Sequence, residues 1–387
     1  MWSAAVLTVW LGVQPWLAWP GLFSDTSHRL TLVICCVALG LLRFGDTAPH
    51  RPLPRAICLW STALLLVMTS HHWHLVRDAA YFEFFQETAL FSDGVLLAVS
   101  VVWGFWALRQ VPIAWFRLLP WIGVALCSIN LILSLGQANG MNWHIGTPHP
   151  VDHAAEAIAR YHISAYKPSG FLGFDRVLGA YSVAWLPILW LAWRPFPRRQ
   201  WFGPLALIPI VCIILASKVT TWIGVAVVVW RLCDRLIWRL SGCALALIAA
   251  VRYSDGSFLL KIPMRALTWL HTAQGAGTFW WRGAGFNPLA ATSIRQQFGY
   301  ALPGLHSDWL ALAFHAGIVM AVSAACYVVW LVVQRPLTPM AGALQASVAA
   351  IAVMSAGQSV VSQSQLSGLI MVLVAWLLAE QEQGATT

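Results

Sequence analysis

Apolar stretches long enough to cross a hydrocarbon layer of about 30 Å recur along the whole chain, separated by short clusters of arginine, proline and polar residues. They fall at roughly 2–22, 30–44, 56–70, 94–108, 118–136, 171–193, 201–216, 219–232, 236–251, 307–333, 339–357 and 364–379. Backbone groups in lipid must be satisfied within each segment, so the pattern predicts an all-α, polytopic membrane protein of about twelve transmembrane helices. The stretches at 219–232 and 236–251 are short for a full span, which leaves room for one of them to be tilted, broken or sheltered by its neighbours. The first stretch has neither a charged leading region nor a small-residue cleavage site before Pro20, and is expected to be a retained helix.

Composition sharpens this expectation. Apolar residues make up 59% of the 387 positions and charged residues 10%, with a mean hydropathy of +0.70. One soluble core cannot bury that much apolar length. Many of the 24 tryptophans stand near predicted span ends, among them Trp19, Trp193, Trp201 and Trp309, as interfacial anchoring requires. The cysteines lie mostly inside apolar stretches, as at Cys35, Cys36, Cys127 and Cys212, without metal-ligand spacing.

The net charge of +9 is distributed unevenly between alternate connections. One set holds Arg43, Arg51, Arg55, Arg109, Arg117, Arg194, Arg198, Arg199, Arg231, Arg235, Arg239 and Arg335, and is assigned to the cytoplasm by the excess of positive charge on that side. The short connections of the other set offer only Arg29, Arg77 and Lys218. Both termini then fall in the cytoplasm. The division is N-terminal helices over 1–136, a first long periplasmic loop over 137–170, central helices over 171–251, a second long periplasmic loop over 252–305, and C-terminal helices over 306–387.

Long loops between helices are uncommon unless they carry function or are disordered, and neither of these has a disordered composition. The first contains Trp143, Tyr161 and Tyr166, and its 152–161 stretch reads as a short surface helix. The second places Arg265, His271, Arg282 and Arg295 among aromatics and glycines. Arginines kept on the non-cytoplasmic side run against the charge bias, and an anionic ligand is a natural reason.

Within the second loop, Arg265 and Trp269 lie on a predicted helix, the segment WWRGAGFNP follows, and HSDWLALAFHAGI opens a span. Gly283 and Gly285 would let backbone amides approach a phosphate, and Arg265 and Arg282 could neutralise it with planar donors. His306 could take a proton from a sugar hydroxyl, with Asp308 orienting the imidazole. Each feature also has a plainer explanation: an interfacial histidine, or arginines that bind anionic lipid headgroups. Outside this loop, His71, His72 and His74 cluster at a span end beside Trp73, consistent with an interfacial position or with metal binding. The segment RDAAYFEFFQETALF from Arg77 is either a surface-lying or a span-linking helix. The polar turn GQSVVSQSQ from Gly357 is either an ordinary loop or a sugar contact.

The order of Arg with a nearby Trp, then GxG, then His, a small polar residue and an aromatic at a helix mouth resembles the O-antigen ligase and polymerase superfamily. The family pattern H-N-x-[YF]-L reads here as His306, Ser307, Asp308, Trp309 and Leu310. The segment KPSGFLGFDRVLGAYSVAWLPI from Lys167 is similar to the family's second signature, with Asp175 and Arg176 where Asn and Pro are usual. ASKVTTW from Ala216 is similar to its Ser-Arg element at a helix end, with Lys218 in place of Arg. The likeness covers roughly 167–333. A further departure is His315-Ala316-Gly317, where the family often has an acidic residue before the glycine.

This resemblance implies a GT-C-like fold in the bacterial inner membrane. It implies transfer of a glycan from undecaprenyl diphosphate to an acceptor hydroxyl on the periplasmic side, with inversion and without a metal or other cofactor. Arg265, Lys218, Arg282, Gly283 and Gly285 would bind the diphosphate, and His306 would be the base, supported by Asp308. Among acceptors, lipid A core (an O-antigen ligase) is favoured over another glycan repeat (a polymerase) or a protein hydroxyl. A transporter of lipid-linked glycan is the competing class, set lower because paired repeats and charged midspan helices are not evident. The expected partners are the lipid-linked glycan, its acceptor and membrane lipid; no nucleic-acid partner is expected.

Overall fold

A computed structural model of the protein describes residues 105–141, 143, 168–172, 175–192, 204–253, 266–267, 269–270, 274, 279–283, 307–358 and 364–386. These residues are overwhelmingly helical, with no strand among them, and the all-α expectation holds there. Residues 105–109 are helical, and the short helix α1 (Ile113–Phe116) leads into α2 (Leu119–Ala138). The order continues with α3 (Asp175–Ala192), α4 (Leu207–Ala216), α5 (Val219–Leu232), α6 (Leu236–Tyr253), α7 (Phe279–Arg282), α8 (Asp308–Ala316), α9 (Ile318–Val333), α10 (Pro339–Gly357) and α11 (Ser364–Thr386). By length and composition Ile113–Ala138 and Pro339–Gly357 are able to cross a membrane, while Pro204–Ala216, Val219–Leu232 and Ile318–Val333 are apolar but shorter. The predicted stretches at 2–22, 30–44 and 56–70, and most of 94–108, lie outside the described residues.

Helices α3 and α10 form the centre. α3 packs against α2, α4, α5, α10 and α11, and α10 packs against α3, α5, α8, α9 and α11. Small residues let the axes approach closely, as in other apolar bundles. A Cβ at Gly123 would lie 2.4 Å from the Trp185 ring, and one at Gly224 would lie 2.5 Å from the Met354 sulfur. The Ser347 hydroxyl donates to the Ala184 carbonyl at 2.7 Å, which ties α10 to α3 without an orphaned polar group. Trp185, Trp376, Tyr181 and Phe116 are fully buried around this pair, with Phe116 and Trp376 stacked at 6.1 Å. The outer surface is apolar instead. On α6, Ile237, Leu245, Ile248 and Val251 are all exposed, Val251 at 85%.

The structure corrects one segment. The apolar stretch 307–333 was expected as one span, but it is two helices, broken at Gly317 with φ 88°. A Cβ there would lie 2.6 Å from the Trp281 carbonyl oxygen and 3.3 Å from the Gly283 nitrogen, so both the backbone conformation and the close approach require glycine. The stretch 201–216 likewise holds a 3-10 turn, Pro204–Ala206, before α4, and α4 stops at Ser217, whose φ of 51° is left-handed. The helices run back and forth between two ends of the bundle. One end gathers the start of α3, the start of α5 and the ends of α2 and α10; the other gathers the starts of α2 and α10 and the end of α11.

Candidate functional site

At the first end, three segments far apart in sequence converge on Lys218. The left-handed turn at Ser217 separates α4 from α5 and makes Lys218 the N-cap residue of α5, with φ −110° and ψ 131°. Its ammonium lies 3.0 Å from the Asp175 carboxylate, which stands in the first turn of α3. The pair is mostly buried, with side-chain exposures of 20% for Lys218 and 7% for Asp175. The other Asp175 oxygen accepts from the Arg176 backbone amide at 2.7 Å. In the first turn of α5, the Thr220 hydroxyl donates to the Gln358 side-chain oxygen, and a Cβ added at Gly357 would lie 3.4 Å from the Thr220 methyl. The first residues of the polar turn after α10 therefore belong to the same cluster.

A collar below this cluster is built by α2. Gln137 is fully buried; its amide oxygen accepts from the backbone amides of Ser169 at 2.7 Å and Gly170 at 3.0 Å, and its nitrogen donates to the carbonyls of Gly170 and Trp143 at 3.1 Å each. Asn130, two turns earlier, accepts from the Phe171 amide at 3.1 Å. These two side chains clamp both ends of the first long loop onto one helix. Gly170 has φ 60°, and a Cβ there would lie 2.1 Å from the Asn130 side-chain oxygen. Sequence reasoning missed this collar, although polar residues at 130, 134 and 137 repeat at helical spacing inside an otherwise apolar stretch.

Electrostatically the cluster is an ion pair set at the N-termini of two helices. The first turns of α3 and α5 present backbone N–H groups at the positive ends of their dipoles, and Lys218 adds a full charge. A cation at a helix N-terminus opposes the dipole, and Asp175 offsets that cost in the resting protein. Sequence reasoning placed Asp175 on a signature without giving it this partner.

The second group of motif residues meets separately. α7 packs on α8 and α9, and Gly283, with φ 77°, is buried against Gly317. Ser307, standing in the position of the family's Asn, caps α8 by accepting from the Leu310 amide at 3.2 Å. Asp308 occupies the first turn of α8, where a carboxylate complements the dipole. Trp309 donates its indole N–H to the Ala352 carbonyl of α10 at 2.9 Å, linking α8 to the helix that also carries Gln358. Arg282 ends α7. Arg265, Gly285 and His306 lie outside the described residues, as do His71, His72, His74 and the segment from Arg77.

The described residues thus define an all-helical bundle with a buried ion pair at the mouths of two helices. No protein-family model matches the chain, and no curated protein matches it.

Proposed function

We propose that the chain is a membrane glycosyltransferase of GT-C-like architecture with about twelve spans, which transfers a glycan from undecaprenyl diphosphate to an acceptor hydroxyl at the periplasmic face of a bacterial inner membrane. The favoured acceptor is lipid A core. The observation that carries the reading is the convergence of Asp175, Lys218 and Gln358 at one end of the bundle, with Arg117, Arg231, Arg235, Arg239 and Arg335 gathered toward connections at the other. That asymmetry fits a chain oriented by its cytoplasmic arginines. The exposed apolar faces of α2 and α6 fit contact with acyl chains.

In this reading a donor diphosphate draws Lys218 away from Asp175 and lies across the open ends of α3 and α5. Arg265 and Arg282 complete the charge balance from the second long loop. His306 removes the acceptor proton as the new bond to the anomeric carbon forms and the bond to the phosphate oxygen breaks. Charge builds on the departing diphosphate, where preorganised cations stabilise it most. Asp308 supports the imidazolium.

The test is transfer of labelled glycan from purified lipid-linked donor in reconstituted vesicles. Label on lipid A core identifies a ligase, lengthened lipid-linked chains a polymerase, and labelled protein an oligosaccharyltransferase. Movement of donor across the vesicle without a new glycosidic bond identifies a transporter. His306→Ala and Arg265→Ala proteins present at wild-type level are expected to lose transfer by about a hundredfold or more. Normal transfer by either variant removes its residue from the mechanism.

A further inference from the structure

At the end of the bundle opposite Lys218, the start of α2, the start of α10 and the end of α11 enclose a cleft of about 570 Å³. Its walls include Trp121, Met340 and Trp376, and Trp121 is 66% exposed at its edge. Two charged side chains line it, Arg117 and Glu380, and no ion pair joins them among the described residues.

Their surroundings differ. The Glu380 carboxylate is buried, 6% exposed, and accepts from the Thr338 hydroxyl at 2.8 Å and the Trp376 indole N–H at 3.1 Å. Both donors are neutral, and a carboxylate offers about four acceptor sites, so Glu380 retains room for a charged N–H donor. Arg117 is exposed, and its hydrogen bond among the described residues is a long one, 3.4 Å to the neutral Gln383 side chain. A guanidinium carries five N–H donors, so one long bond leaves most of them for a ligand. The cleft therefore presents a cation at its rim, a buried carboxylate held by two neutral donors within, and aromatic and thioether walls beside them.

We infer that this cleft binds a zwitterionic phospholipid bearing a primary ammonium, with the lipid phosphate on Arg117, the ammonium on Glu380 and the first part of an acyl chain along Trp121 and Met340. The inference rests on the membrane reading above, and not on the transfer chemistry. A purely anionic headgroup would satisfy Arg117 but set a phosphate near a buried carboxylate that forms no ion pair among the described residues. A quaternary ammonium would bring charge but no N–H to fill the open acceptor sites of Glu380.

The full-length protein, purified in detergent, is mixed with phosphatidylethanolamine, phosphatidylglycerol and phosphatidylcholine of identical acyl chains, and retained lipid is measured by native mass spectrometry. Phosphatidylethanolamine is expected to be held about tenfold more strongly than either competitor. Glu380→Gln should bring it level with phosphatidylglycerol, and Arg117→Gln, a surface change, should lower retention of all three. Equal retention of the three lipids by the natural protein overturns the site without recourse to any variant, as does retention of none. A preference that persists in a folded Glu380→Gln protein overturns the role of that carboxylate. Failure of the underlying reading is distinct: the chain would then be found in the soluble fraction of cells, and no lipid measurement would arise.

Discussion

The two ends of the bundle solve the same electrostatic problem with opposite signs. Near Lys218 the more deeply buried partner is the carboxylate of Asp175, and the lysine is the member nearer solvent. Near α11 the more deeply buried partner is Arg109, 5% exposed, and the Glu382 carboxylate paired with it is half exposed at 51%. In each case breaking a buried pair costs more than the pair itself contributes, because the buried member loses its partner while remaining out of water. The first end thus keeps a buried anion neutralised by Lys218, whereas the other end keeps a buried cation that the C-terminal helix neutralises. Under the proposed function the first pair opens to admit the donor diphosphate, while the second stays closed as a clamp.

The backbone differs between the ends as well. At the Lys218 end the chain turns through left-handed positions at Gly170 and Ser217. At the other end side chains reach across to carbonyls: Arg231 donates to Val332 at 2.7 Å, Arg239 donates to Cys233 at 2.6 Å and lies over the Trp230 ring, and Gln345 donates to Leu331 and Gln334. Side chains reach to backbone groups at both ends, and among the described residues only the first end adds left-handed positions to them.

The sharpest way to break this contrast is Gly170→Ala. A left-handed backbone and a Cβ 2.1 Å from Asn130 should together cost about 3 to 5 kcal/mol, seen as a lowered thermal unfolding midpoint in detergent. Gly140→Ala, with φ 81° but open space around it, should cost only about 1 to 2 kcal/mol. Equal losses would mean that the collar formed by Asn130 and Gln137 does not constrain the loop.

Glu382→Ala is expected to cost about 3 kcal/mol by stranding Arg109, while Arg109→Met should cost less, because it leaves behind a half-exposed carboxylate. The reverse ranking would show that Arg109 is stabilised by something other than Glu382. At the site end Lys218→Ala should cost about 2 kcal/mol, since Lys218 is partly solvated, and the paired change Asp175→Asn with Lys218→Met should recover most of that stability. Glycan transfer should not recover with it. A double variant that is both stable and active would reduce Lys218 to a structural role.

Smaller effects test the local details. Ser307→Ala removes the cap of α8 and should lower stability by about 1 kcal/mol. Between α5 and α6, burial and the neighbouring Asp234 carboxylate push the Cys233 thiol up, with Arg239 opposing. A raised thiol carries less thiolate at a given pH, so in a protein retaining Cys233 as its sole cysteine, alkylation at pH 8 should run slower than for a free thiol and catch up only in more alkaline solution. Replacing Asp234 with Asn should speed it. An alkylation profile matching the free thiol would contradict the burial of that turn.

The run of apolar stretches and the alternation of arginines between connections were decided within the sequence, because hydropathy and charge are properties of contiguous residues and need no partner to be read. Helices appear at 118–136, 171–193, 219–232, 236–251 and 339–357 close to where their apolar runs lie. Ser307 and Asp308 were legible as the mouth of a helix for the same local reason. Tertiary structure alone decided that Asp175 neutralises Lys218, that Gln137 holds Ser169 and Gly170, and that Thr220 meets Gln358. Those contacts join positions tens of residues apart, and the helix break at Gly317 answers to a carbonyl on another helix. Periodicity carries no information about which helix ends will share a corner of the bundle; close packing of α3 against α10 settles that, and with it the composition of the site.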